Sequence, residues 1–326
     1  MSERDAWMPA TRAPRLRGAH ALFLSATLIW GSTWIAITYQ LGTVEPEVSI
    51  AYRFALAALL LLGWNALRRA RMRYSLRDHA LMAAQGALLF GANYVLIYHS
   101  ERFLASGLVA VVFSLIVFFN IIGMRLFFGQ PIAVRMVLGA ACGVAGVATL
   151  FWREMARFEG GARGATGLVL AAAGTLVASL GNMMAARNYR AGLPVRASTG
   201  FGMMYGAALV ASWSVARGVE WRFEATGAYV ASLLYLVVFG SVLAFLAYLT
   251  LAGRIGADRA GYVGVAVPVV ALALSTLVEG YRWTGSAFVG VALCLAGNLV
   301  VLARAPAGGE GSGPRSTRAT EGDAAG

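Results

Sequence analysis

Apolar runs of about twenty residues follow one another along the chain, broken only by short polar stretches. They lie at 19–41, 47–67, 79–100, 104–128, 132–151, 165–187, 195–217, 227–252, 258–278 and 284–303. At about 1.5 Å of rise per residue, each run in helical form spans roughly the 30 Å hydrocarbon core of a bilayer. The pattern predicts an all-α integral membrane protein of ten transmembrane helices. Residues 1–18 and 304–326 have no apolar face and read as polar tails. The first run is too long for the core of a signal peptide and is expected to stay as an uncleaved helix.

Polar positions inside the runs are few, and they are the candidates for a pathway. The first run carries Trp30-Gly31-Ser32-Thr33-Trp34 near its middle, whereas Trp ordinarily sits at the membrane–water interface. The small residues between the two rings either line a cavity or let a neighbouring helix come close. Asn93, Tyr94 and Tyr98 fall in the third run, Ser114 and Asn120 in the fourth, Asn182 in the sixth, and Ser241 and Tyr248 in the eighth. Amides in lipid need partners, so these residues are expected to face the protein interior. With Trp30, Ser32, Thr33 and Trp34 they would form an aromatic, hydroxyl- and amide-lined substrate pocket. The alternative is hydrogen bonding between helices with no ligand.

Charge refines this picture. Only 13% of residues are charged, against about a quarter in soluble domains. All 27 basic residues are Arg, and the formal charge is +12. On a soluble fold that would point to nucleic acid; here the arginines sit between apolar runs. Placing the N-terminus in the cytoplasm puts nineteen Arg inside and eight outside, which predicts an N-in, C-in topology and no nucleic-acid partner. Every acid falls in a tail, a loop or a helix end, so no carboxylate is expected at the midplane. Arg53 is the deepest charge on the outer side. It either snorkels to the interface, binds a substrate carboxylate, or pairs with Glu45, Glu47 or Glu279. His99 ends the third run, where a histidine is either a proton switch or an ordinary hydrogen-bonded interface residue. Pro268 lies inside the ninth run, where it is expected either to kink or hinge the helix or to be simply tolerated, as prolines in membrane helices are. Arg53, His99, Pro268 and Glu279 are therefore candidates for gate or hinge.

The chain also repeats itself. Phe90-Gly91 and Phe239-Gly240 are 149 residues apart, as are Gln130 and Glu279, and Gly107 and Gly256. Two halves of five helices each have an odd helix number, so the second must be inverted in the membrane. Residues 19–151 and 164–303 are the expected halves. Inverted repeats with a site at the midplane are a common transporter plan.

In order along the chain stand Trp30-Gly31-Ser32-Thr33-Trp34, Arg53-Phe54, Phe239-Gly240-Ser241, Pro268, Glu279-Gly280, Val289-Gly290-Val291-Ala292-Leu293 and Ala296-Gly297. This series resembles EamA-type members of the drug/metabolite transporter superfamily, over roughly residues 19–303. The resemblance implies transport of a small metabolite, such as an amino acid, a sugar, a nucleotide precursor or a toxic cation. Two departures stand out. The fourth run reads Ser114-Leu115-Ile116-Val117-Phe118-Phe119-Asn120 where the family usually has a proline. The first half closes on Gly129-Gln130-Pro131 where the family usually has Gly-Glu. The kink and the acidic terminus are thus expected only in the second half.

The resulting expectation is an exporter of amino acids or related neutral or zwitterionic, partly apolar solutes, in a prokaryotic-type inner membrane. Other metabolites, including nucleosides, sugars and toxic compounds, are the alternative. A lipid-modifying membrane enzyme would need paired acids or a His cluster, and His20, His79 and His99 are scattered. Cys142 and Cys294 lie inside apolar runs and read as packing residues, so neither metal nor cofactor is expected. Gly139-x-x-x-Gly143 and Gly202-x-x-x-Gly206 offer close helix packing, with a homodimer through the fifth and tenth runs as a further possibility.

Overall fold

The structure is a computed structural model that describes residues 18–157, 161–255 and 260–302; the two predicted tails lie outside the described residues, Gly18 excepted. The first half comprises α1 (Ala19–Thr38), α2 (Pro46–Leu67), α3 (Leu76–Ser100), α4 (Ser106–Phe128) and α5 (Val134–Arg157). The second comprises α6 (Gly161–Arg190), α7 (Val195–Ala216), α8, α9 (Tyr262–Val278) and α10 (Gly285–Leu302). Within α8 three segments follow one another, Gly227–Tyr235, Leu236–Leu243 and Ala244–Ile255. Seven of these helices are long and apolar enough to cross a membrane, and Val134–Leu150 and Tyr262–Val278 are shorter apolar helices. The ends of the helices follow local chemistry. Pro46 occupies the first turn of α2, where its missing N–H costs nothing. Ser75 and Asp78 exchange side-chain-to-backbone hydrogen bonds of 3.1 and 3.2 Å that start α3. Gly129, at φ 68°, ends α4 in a left-handed turn.

Three helices depart from regular α geometry, two of them in register with the repeat. α3 widens to a π-helix over Ala87–Ala92, and α8 does so over Leu236–Leu243. The two segments begin 149 residues apart, the spacing seen in the sequence. A π turn inserts a residue into the ladder and frees backbone carbonyls to accept other donors. The third departure corrects an expectation. α4, which has no proline, is the helix that breaks: Leu115 N bonds to Val112 O at 3.0 Å and Phe118 N to Leu115 O at 2.9 Å, a tightened i to i−3 pattern around Ser114. The Ser114 hydroxyl donates to Val111 O at 2.7 Å and stabilises that turn. α9 remains one continuous helix through Pro268.

Packing sorts the helices into two groups. One apolar core joins α4, α5, α9 and α10, and another joins α2, α3, α7 and α8; α1 and α6 pack between. α5 and α10 run antiparallel with backbones in contact: a Cβ at Gly139 would lie 2.6 Å from Gly297 O, and one at Gly146 would lie 2.6 Å from Gly290 O. The glycine face of α5 is therefore spent within the chain. α2 and α7 are likewise antiparallel, with Gly200 against Leu62 and Ala207 and Ala211 beside Ala51. α5 pairs with α10 and α2 with α7, each helix meeting its own counterpart in the other half. The bundle has a glutamate end, where Glu45, Glu47, Glu101 and Glu279 gather, and an arginine end at the α2–α3, α4–α5 and α6–α7 turns.

Candidate functional site

Arg53 is the centre of the polar interior. It is 2% exposed, so the snorkelling expectation does not hold. Its Nε donates to Ser241 Oγ at 3.1 Å and its Nη1 to Tyr98 OH at 3.3 Å. The guanidinium lies over the Tyr94 ring at 4.8 Å and the Phe54 ring at 5.1 Å, so π faces replace part of its lost hydration. No ion pair joins it to a carboxylate of the described residues. Glu45 pairs with Arg102 at 3.3 Å, Glu47 with His99 at 3.1 Å, and Glu279 accepts from Ser106 Oγ at 2.6 Å. A charge in the hydrocarbon region without a counterion is costly, which makes Arg53 a candidate functional residue.

The opening cluster of α1 forms one wall of this centre. Trp30 Nε1 donates to Gly240 O at 3.3 Å, a carbonyl of the α8 π segment, and its ring packs on Phe245 and Tyr248. A Cβ on Gly240 would sit 2.8 Å from Thr33 Cγ2 and 3.4 Å from Arg53 Nη2, so glycine is what lets α1, α2 and α8 converge. Ser32 Oγ lies 2.6 Å from Tyr235 OH. Arg53, Tyr94, Tyr98, Ser241, Thr33, Trp30, Ser32 and Tyr248 are thus gathered around α8.

The other predicted residues lie elsewhere. Trp34 is buried against Phe113. Asn182 donates to Asn120 at 3.4 Å across α6 and α4, a separate contact. Asn93 bonds back to Leu89 O at 3.2 Å within α3. Ser114 stays in the α4 break, and Pro268 packs inside α9 beside the Gly31 approach. Among the described residues no cluster of His, Cys, Asp and Glu is placed to hold a metal ion.

Two further polar groups close the ends of the bundle. At the glutamate end, Gln40, in the turn after α1, donates to Tyr229 O at 2.9 Å and to Ser232 Oγ, and Ser49 of α2 meets Tyr229 OH at 2.9 Å. These bonds tie α1 and α2 to the start of α8. At the arginine end, Asn188 of α6 and Ser198 of α7 donate to Gln85 Oε1 of α3 at 2.8 and 2.6 Å. Asn188 also donates to Leu81 O at 3.2 Å. Ser49 and Ser198 are 149 residues apart and Gln40 and Asn188 are 148 apart. The same helix triad, 1-2-8 and 6-7-3, carries both latches. Sequence reading missed them because Ser and Gln near helix ends look like ordinary interface residues; the 149-residue match of Ser49 with Ser198 was the available signal.

A helical bundle with apolar outer faces, a buried polar centre and a hydrogen-bonded polar group at each end defines a multi-pass membrane protein. The family model described as the EamA-like transporter family matches residues 17–152 and again 165–303. The chain belongs to this family, and it is a multi-pass protein of the cell membrane. It is similar to the uncharacterized transporter YoaV of Bacillus subtilis (strain 168), 24% identical over 76% of this chain and 84% of that one. Protein PagO of Salmonella typhimurium is 23% identical over 80% and 84% of the two chains. The uncharacterized inner membrane transporter YedA of Escherichia coli (strain K12) is 28% identical over 78% and 80%. A crystal structure 19% identical in sequence superposes with a TM-score of 0.63 over 87% of this chain and 96% of that one, a likeness of fold.

Proposed function

We propose that the protein exports small zwitterionic or neutral, partly apolar metabolites bearing a carboxylate, amino acids foremost, by alternating access between two inverted halves. The observation that carries this reading is Arg53, buried, fixed by Ser241 and Tyr98 from two other helices, and without a carboxylate partner among the described residues. A planar guanidinium held in place by hydroxyls and rings is a ready donor for a carboxylate. The Trp30, Phe245 and Tyr248 rings beside it give apolar surface for the rest of the solute. The antiparallel α2/α7 and α5/α10 pairs support an inverted repeat, and the Arg asymmetry supports cytoplasmic termini with the glutamate end outside. In this reading the two latches are the outer and inner gates, opened in turn.

The test is uptake and efflux in proteoliposomes holding the full chain, across radiolabelled amino acids, nucleosides, sugars and a cationic drug. Carboxylate-bearing solutes are expected to move, and Arg53→Gln to abolish their movement at unchanged membrane insertion. Movement of the cationic drug alone, or of nothing in the panel, would overturn the assignment.

A further inference from the structure

The glutamate end holds a carboxyl that the transport reading leaves unused. Glu101 follows the last residue of α3 in the turn to α4, is 8% exposed, and has no hydrogen-bond partner on either oxygen among the described residues. The neighbouring acids are engaged: Glu47 with His99, Glu45 with Arg102, and Glu279 with Ser106. An ionised carboxylate buried without donors is far less stable than the neutral acid.

We infer that Glu101 is a proton-binding site that is loaded when the glutamate end is closed and emptied when it opens, so that the pH on that side sets how often the end opens. The chemistry stands by itself, although its use in a cycle rests on the alternating-access reading.

Two groups act on Glu101 electrostatically, Glu279 from the end of α9 and Arg53 from α2. Burial holds the Glu101 carboxyl well above the usual carboxylate range, the Glu279 charge adds to the rise, and Arg53 opposes it. α6 packs on this turn through the Ser100 hydroxyl, which donates to Gly167 O at 2.8 Å, and Arg163 of α6 is exposed. Of the two adjacent acids, Glu279 is the one suited to carry the negative charge. It accepts from Ser106 N at 3.2 Å and from Ser106 Oγ, at the positive N-terminal end of α4. The proton of the pair therefore resides on Glu101.

The sign follows from linkage. The closed form binds the proton more tightly, so it is favoured at low pH. Opening hydrates Glu101, returns its carboxyl toward about 4.3, and releases one proton. The ratio of open to closed forms then rises by up to about tenfold per pH unit from that value to the raised one, and levels off above it.

The experiment combines infrared titration with a distance measurement on full-length protein in liposomes. A protonated carboxyl stretch is expected to persist above the ordinary carboxylate range and to vanish in Glu101→Gln. Glu279→Gln is expected to keep the band and move its titration to lower pH, which a purely structural role for Glu101 would not produce. Spin labels on Thr43→Cys and Arg282→Cys, with Cys142→Ala and Cys294→Ala, report the opening. Its pH slope is expected to flatten in Glu101→Gln. A band unaltered in Glu101→Gln, or an unchanged slope, would overturn the inference. Failure of the whole transport reading would leave the infrared result standing.

Discussion

Removing one hydroxyl from each latch should bias the molecule in opposite directions. Ser49→Ala takes away the partner of Tyr229 OH, 2.9 Å distant, and leaves that hydroxyl in a side chain only 2% exposed. Stranding a buried polar group costs about 1–3 kcal/mol. Ser198→Ala removes a 2.6 Å bond to Gln85 Oε1, but that oxygen keeps Asn188 at 2.8 Å, so the loss is nearer the net worth of one hydrogen bond, about 0.5–1.5 kcal/mol. Differences of about one to three kcal/mol change an equilibrium by about 5- to 150-fold. Ser49→Ala should therefore open the glutamate end about 5- to 150-fold more often, and Ser198→Ala the arginine end by a smaller factor. Reporter cysteines at Val44 and Leu193, 1% and 6% exposed at the two ends, make this measurable as the rate of labelling by a membrane-impermeant maleimide, with Cys142→Ala and Cys294→Ala as background. Each latch variant should raise labelling at its own end and lower it at the other. Equal increases at both ends, or a larger effect from Ser198→Ala, would refute the assignment of these groups as opposed gates.

Four other outcomes follow from the geometry. Arg53→Lys keeps the charge but loses the fork, and should weaken binding of carboxylate solutes by about 10- to 150-fold, the equivalent of one charge-assisted bond of about 1.5–3 kcal/mol; ligand-induced thermal shifts read this, and unaltered shifts would count against Arg53 as anchor. Gly290→Ala places a Cβ 2.7 Å from Gly146 O, and the forced separation of α5 and α10 should destabilise by about 1–3 kcal/mol in a detergent melt. Gly264→Ala, with nothing within 4 Å of its Cβ, should leave the melt unchanged or slightly raised. Glu279→Ala strips the start of α4 of its acceptor and should cost about 0.5–2 kcal/mol, visible as faster amide exchange at Ser106 through Leu108.

The order and extent of the helices were legible because the bilayer imposes a length and an apolarity that any single sequence displays. The predicted runs and observed helices differ by a few residues at their ends, as at 132–151 against Val134–Arg157. The 149-residue spacing was legible too, and the paired π segments fall on it. Part of the Arg53 centre could be read in advance, since Tyr94, Tyr98 and Ser241 were polar positions inside apolar runs. The α4 break could not: no proline marks it, and it arises from a shift to tighter backbone hydrogen bonding beside Ser114. Nor could the separation of Asn120 and Asn182 from Arg53, because both sets obey the same rule of facing inward.

By itself, the sequence determined that this chain is a helical membrane protein, how its helices are spaced, and which end of them carries its arginines. Those follow from hydropathy and charge, which act residue by residue. Only the tertiary structure decided that Arg53 is buried, without a carboxylate partner among the described residues, rather than drawn to the interface. It alone joined Ser49 to Tyr229 and Ser198 to Gln85, and left Glu101 enclosed without a donor among the described residues. Each of those depends on which side chains from distant helices meet, and helix periodicity fixes a face without naming what it meets.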